Sequence, residues 1–152
     1  MRAIIFLGGL LMAASWGLAW IEPPFAAPDL SPMALARDGR LMLSADSSWQ
    51  VWVFLGGFAA ATLALLLAVG GWPSRLLALA AGASPIVLVG DALVRAEALR
   101  QDLGLPVPFD FGDLRASWAV LENFVRLGFW AYLAGSAILL AAGATLLVRR
   151  RR

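Results

Sequence analysis

The chain has 152 residues, of which 61% are hydrophobic and only 14% are charged, with a net charge of +2. A soluble domain is closer to half apolar and a quarter charged, so the composition indicates a membrane protein, and the length indicates one compact unit. The absence of cysteine and histidine excludes disulfides and removes the usual metal and haem ligands, and no basic stripe points to nucleic acid.

Four apolar stretches are long enough to cross a hydrocarbon core of about 30 Å, which takes about 20 helical residues. They cover residues 3–21, 50–70, 75–95 and 127–148. We therefore predict an all-α membrane protein, in which residues 1–152 form a single four-transmembrane-helix bundle. The two loops on the outer side are then residues 22–49 and 96–126.

The first stretch has two interpretations. Its charged start at Arg2 and apolar run are also found in cleaved signal peptides. However, the run extends to residue 21 and ends in Trp16 and Trp20, and tryptophan at the end of a span anchors it at the membrane interface. We expect a retained helix.

The charges are sorted between the two ends of the predicted spans. All ten acidic residues lie within residues 22–46 or 91–122, whereas the N-terminus, the "GWPSR" turn and the tail hold six arginines and no acid. The positive-inside rule then predicts cytoplasmic N- and C-termini. The tail, formed by Arg149, Arg150, Arg151 and Arg152, sets this orientation and is also suited to anionic lipid headgroups. The lysine-free composition suggests a bacterial source, and hence the cell inner membrane.

The predicted outer loops contain local structure signals. In "MALARDGRLML", the Asp38-Gly39 pair between two alternating runs is compatible with a short β-hairpin. Ser47 or Ser48 is placed to cap the second span. The second loop begins as a helical continuation of the third span as far as Gly104, a plausible C-terminal cap.

Small residues recur at helical spacing in two spans. Gly9, Ala13 and Gly17 lie in the first, and Ala131 and Gly135 lie in the fourth. Such rows let helix backbones approach closely and pack by dispersion. They predict helix packing, and they name no partner.

Tryptophan is concentrated at one side of the predicted bundle. Six of the seven tryptophans lie at or near the outer ends of spans: Trp16, Trp20, Trp49, Trp52, Trp118 and Trp130. One interpretation is the ordinary aromatic belt at the membrane interface. The other is an aromatic collar that holds a lipid, a quinone or a neighbouring subunit at the outer leaflet.

Asp91 is the one acidic residue within a predicted span. It lies about 24 Å along the helix from Arg75, at about 1.5 Å per residue, so it falls near the outer edge of the hydrocarbon. Arg95 follows one turn later and can pair with it. We expect an interfacial ion pair, and the alternative is a group that faces the bundle interior and serves function.

No catalytic motif accompanies these features, and no serine has a histidine or lysine to activate it. We therefore expect no enzyme, no metal and no cofactor. The first hypothesis is a non-catalytic accessory subunit or assembly factor of a larger membrane complex, with lipids and other membrane subunits as partners. The alternative is a lipid- or quinone-binding or small transport module that uses the aromatic collar and Asp91.

Overall fold

The computed structural model describes residues 1–22, 31–39, 48–103 and 125–149. This part of the chain is helical, without strands. Its five helices are α1 (Arg2–Ser15), α2 (Pro32–Arg37), α3 (Trp49–Val69), α4 (Arg75–Leu103) and α5 (Leu127–Arg149). Trp118, Gly104, Ser47 and the arginines at 150–152 lie outside the described residues. Ser48 is the N-cap residue of α3, but its side chain makes no capping hydrogen bond.

Three helices are long and apolar enough to cross a membrane within the described ranges, namely Trp49–Val69, Arg75–Ala92 in α4 and Leu127–Thr145 in α5. α1 is apolar but has only 14 residues, which span about 21 Å at about 1.5 Å per residue. The prediction of membrane-spanning helices is thus supported for three of the four stretches. The chain is a membrane protein by this criterion.

α1 ends earlier than the apolar stretch predicted, because backbone groups beyond Ser15 bond to other segments. The indole nitrogen of Trp20 donates to the Ser15 carbonyl at 2.8 Å. The amide of Met33 donates to the carbonyl of Trp16 at 3.1 Å. Ile21 forms an isolated antiparallel bridge with Val125. The bond of Trp20 is local, whereas those of Trp16 and Ile21 join other segments, and together they replace the intrahelical bonds that would have continued α1.

The predicted β-hairpin around Asp38-Gly39 is wrong in its first half. Residues 32–37 form α2, with Pro32 at the first helical position and the Ser31 hydroxyl accepting from the Ala34 amide at 3.1 Å. Gly39 has a φ of 72°, so the Asp-Gly pair ends a helix instead of turning a hairpin. The predicted second strand, residues 40–43, lies outside the described residues.

The four longer helices pack in a ring, in which α1 contacts α3 and α5, and α4 also contacts α3 and α5. At one end, the hydroxyl of Thr145 lies 3.6 Å from the sulfur of Met1, and Gly71 lies close to Arg2. At the other end, Met33 of α2 contacts Trp16 and Gly17, which follow α1. The helices α3 and α5 begin at this end. Consecutive long helices therefore run in opposite directions. We call the second end the tryptophan end.

Small side chains face inward and large apolar side chains face outward. The buried core is rich in alanine, including Ala61, Ala64, Ala68, Ala78 and Ala81, whereas Leu66, Val69, Leu76, Ile86 and Val94 are among the exposed residues. Water would oppose that distribution, and helix packing in lipid favours it, because small residues allow close backbone approach.

Candidate functional site

Six aromatic rings form a cluster at the tryptophan end of the helix ring. They are Trp16, Trp20, Phe54, Phe58, Phe129 and Tyr132. Trp20 is central, since its ring centroid lies 4.7 Å from that of Tyr132 and 5.7 Å from that of Phe54. Tilted and edge-to-face pairs at these separations are favourable beyond the area they bury. This aromatic cluster joins α1, α3 and α5.

An open apolar groove lies beside the aromatic cluster, between the end of α1, α2, α3 and α4. Its volume is about 360 Å³. Its lining residues are Trp20, Ile21, Ser31, Pro32, Leu35, Gln50, Val51, Phe54 and Leu88, and the surface that they expose in the groove is entirely apolar. Pockets for small molecules in proteins have volumes of roughly 300–1,000 Å³ and are mostly apolar with a few placed polar groups. We call this cavity the outer groove.

Asp91 lies behind Gln50 and accepts hydrogen bonds from two sides. The amide nitrogen of Gln50 donates to its Oδ2 atom at 2.8 Å, and Nε of Arg95 donates to the same oxygen at 2.8 Å. The side chain of Asp91 is 20% exposed and that of Arg95 is 61% exposed. The ion pair with Arg95 is therefore confirmed, and Gln50 is a partner that the sequence did not reveal.

A second ion pair lies next to the outer groove, at the residue that follows Ile21. Glu22 pairs with Arg126. The amide of Arg126 donates to the carbonyl of Trp20 at 2.8 Å, and the amide of Gly128 donates to the carbonyl of Ala19 at 2.9 Å. This clasp holds the chain after α1 against the chain before α5. It fixes Trp20 and Ile21 at one wall of the outer groove.

A second groove, which we call the α4–α5 groove, runs between these two helices away from the aromatic cluster. Its volume is about 480 Å³. Its lining includes the small residues Gly82, Gly90, Ser136 and Ala137. The hydroxyl of Ser136 donates to the Leu133 carbonyl at 2.8 Å. The groove surface is therefore almost entirely apolar.

The tryptophans singled out by the sequence separate into two groups. Trp16 and Trp20 are half-buried in the aromatic cluster, and only Trp20 also lines the outer groove. Trp49, Trp52 and Trp130 are exposed, which suits residues of an interfacial belt. Whether the aromatic cluster serves as a ligand collar stays a prediction.

Only some of the small residues in the predicted packing rows make close contacts between helices. An added Cβ on Gly9 would lie 3.1 Å from the Ala61 carbonyl oxygen of α3, and one on Gly135 would lie 2.7 Å from the Gly8 carbonyl oxygen of α1. Gly17 is exposed, and Ala13 and Ala131 are half-buried. Close contacts that we did not predict occur at Gly57, Gly82 and Gly143, for which the sequence offers no distinguishing signal among many glycines.

The described residues contain no group of three or more His, Cys, Asp or Glu side chains that could hold a metal ion. The surface of the outer groove offers apolar contact and aromatic stacking. No protein-family model, curated protein or solved structure matches this chain.

Proposed function

We propose that this chain is a non-catalytic, multi-pass protein of the bacterial inner membrane that binds a lipid-like amphiphile in the outer groove. The observation that supports this most directly is the wholly apolar surface of this open groove, to which Trp20, Phe54 and Leu88 contribute. The apolar chain of an amphiphile would meet a matching surface there. Binding sites of this kind need few polar groups, which fix orientation.

We also propose that α1 crosses the membrane with the other three long helices, so that both termini are cytoplasmic. α1 packs on α3 and α5 along its length, and lipid thinning and interfacial tryptophans can accommodate a short span. Arg2, Arg75 and the arginine tail then lie at the cytoplasmic face. The outer groove opens at the opposite leaflet.

The ligand proposal is tested by filling the groove. Leu88 lines the outer groove, whereas its neighbour Val87 is exposed and lines neither groove. We expect Leu88→Trp to remove a bound amphiphile that native mass spectrometry detects on the wild-type chain. Val87→Trp adds the same bulk on the outward face, so we expect the ligand to be retained.

Two outcomes would contradict the proposal. One is a wild-type chain, purified in a mild detergent, that carries no amphiphile above the detergent background. The other is equal retention of the ligand by Leu88→Trp and by the wild type, because the added indole occupies the space that the ligand is proposed to fill.

A second candidate function is that of an accessory subunit or assembly factor of a larger membrane complex. The α4–α5 groove favours it, because the exposed small residues Gly90 and Ala137 would let the backbone of another transmembrane helix approach closely. Co-purification with a larger assembly in mild detergent supports this candidate. A chain that is monodisperse and alone in the same detergent counts against it.

A further inference from the structure

We propose that the α3–α4 turn binds the headgroup of an anionic phospholipid through Arg2 and Arg75, beside the exposed indole of Trp72. This turn lies at the end of the bundle opposite the tryptophan end. The inference therefore does not depend on the amphiphile proposed for the outer groove. It also differs from a role for the arginine tail, because it places a headgroup on residues of α1, the α3–α4 turn and α4.

Two helices bring an arginine to this turn. Arg75 is the first residue of α4, and the hydroxyl of Ser74 before it accepts from the Leu77 amide at 3.4 Å. Arg2 is the first residue of α1, and its Nη1 atom lies 3.5 Å from the position that a Cβ would take on Gly71. The side chain of Arg2 therefore reaches from α1 to the α3–α4 turn, where α4 supplies the second positive charge.

No carboxylate of the described residues pairs with these arginines. Arg2 and Arg75 form neither an ion pair nor a side-chain hydrogen bond in the part of the chain that the structure describes. None of the ten aspartates and glutamates falls within residues 1–21, 47–90 or 123–152, and the two ion pairs of the described residues both lie at the tryptophan end. Anions from outside the chain must therefore neutralise the arginines at this turn.

The side chains around the turn favour a lipid over a soluble anion. Trp72 is 79% exposed, and Val69, at the end of α3, and Leu76, in α4, are exposed as well. A soluble phosphate would leave these apolar side chains facing water. A phospholipid presents its phosphate to the guanidinium groups and its acyl chains to the apolar side chains. Tryptophan together with arginine at the end of a span suits the level of the headgroups.

Charge decides which phospholipid this surface prefers. A guanidinium matches the geometry of a phosphate and can donate two parallel hydrogen bonds to it. Phosphatidylcholine also has a phosphate, but its ammonium group cancels the charge and is repelled by the arginines. Phosphatidylglycerol has a net negative charge, which arginine near a membrane surface attracts. We therefore expect the α3–α4 turn to prefer phosphatidylglycerol to phosphatidylcholine.

The exposed indole of Trp72 provides the measurement. The full chain is reconstituted in vesicles of phosphatidylcholine and phosphatidylglycerol, in which one lipid or the other has brominated acyl chains that quench indole fluorescence at short range. The signal of Trp72 is the difference between each protein and the same protein with Trp72→Phe. The quenching by the two brominated lipids gives the ratio of their binding constants at this residue. We expect the wild type to favour phosphatidylglycerol.

The arginines are tested with a matched control at the other end of the bundle. Arg75→Gln should lower the preference for phosphatidylglycerol by up to about fivefold, as for the loss of one arginine near an anionic surface. Arg2→Gln combined with Arg75→Gln should abolish the preference, whereas lysine at both positions keeps the charges and should retain it. Arg37→Gln removes an exposed arginine of α2, and we expect no change at Trp72.

Two results would overturn the inference. One is an equal preference in the wild type and in the double glutamine variant, because the arginine tail is present in both. If the double variant does not fold, an equal preference in Arg75→Gln and Arg37→Gln has the same meaning. The other is displacement of phosphatidylglycerol by inorganic phosphate beyond that caused by potassium chloride at the same ionic strength. The turn would then bind a free phosphate instead of a lipid headgroup.

Discussion

Ser84 and Tyr132 bring two buried hydroxyl groups together between α4 and α5. The hydroxyl of Ser84 donates to the Ala81 carbonyl at 2.8 Å and lies 3.4 Å from that of Tyr132. Because a serine hydroxyl has one hydrogen, Tyr132 is the donor of the second bond. The two residues therefore depend on each other unequally. The Tyr132 hydroxyl needs Ser84 as its acceptor, whereas the Ser84 hydroxyl keeps its bond to the Ala81 carbonyl without Tyr132.

The assignment of Tyr132 as donor and Ser84 as acceptor predicts unequal effects of two substitutions on stability. Tyr132→Phe removes a long hydrogen bond and leaves no buried group unpaired, so it should lower the free energy of unfolding by about 0.5–1 kcal/mol. Ser84→Ala leaves the Tyr132 hydroxyl without its acceptor and should cost about 1–3 kcal/mol. Unfolding by sodium dodecyl sulfate in mixed micelles measures both values. A larger loss for Tyr132→Phe than for Ser84→Ala would contradict the assignment of donor and acceptor.

Residue-level chemistry was only partly predictable from the sequence. The Asp91–Arg95 pair follows from helical spacing of four residues, so it was expected. The bond from Gln50 to Asp91 joins residues 41 positions apart, and only the packing of α3 on α4 brings them together.

At the scale of helices, close packing of α4 on α5 depends on Gly82. An added Cβ there would lie 2.6 Å from the Leu140 amide nitrogen and 2.7 Å from the Ser136 carbonyl oxygen. These are backbone atoms of α5, and they cannot rotate aside as a side chain can. Gly90 lies two turns further along α4, and an added Cβ there meets no described atom within 4 Å.

We therefore expect opposite results from two alanine substitutions in one helix. Gly82→Ala should lower the free energy of unfolding by about 1–3 kcal/mol, as overpacking does. Gly90→Ala should leave it unchanged or raise it slightly, because alanine favours the helix more than glycine does. The same detergent titration measures both. Equal stabilities for the two variants would show that α4 and α5 do not approach as closely as described.

The helices were predicted well where the apolar runs of the sequence are long, and less well where those runs are short. α3, α4 and α5 begin within one residue of the predicted span starts. The end of α1 and the identity of α2 were missed. Ser31 and Pro32 start a helix where the alternating pattern had suggested a strand. After α1, amides of distant residues donate to the backbone carbonyls of Trp16, Ala19 and Trp20.

At the scale of the whole molecule, the four longer helices form a ring with alanine inside and large apolar residues outside. The sequence predicted helix packing from its rows of small residues, but it did not predict which side chains face inward. The outer groove was not predicted, since it is formed by α2 and by segments far apart in the sequence. Its access from one leaflet follows only if all four helices cross.

That access depends on the central claim that the bundle crosses the membrane four times and exposes the outer groove outside the cell. Because the chain contains no cysteine, single cysteines can be introduced and labelled in intact cells with a membrane-impermeant maleimide. We expect Arg37→Cys, on α2, to be labelled in intact cells. Trp72→Cys, in the exposed α3–α4 turn, and a cysteine placed before Met1 should be labelled only after the membrane is opened. Labelling of Trp72→Cys in intact cells, or of both the N-terminal cysteine and Arg37→Cys from the same side, would contradict the account.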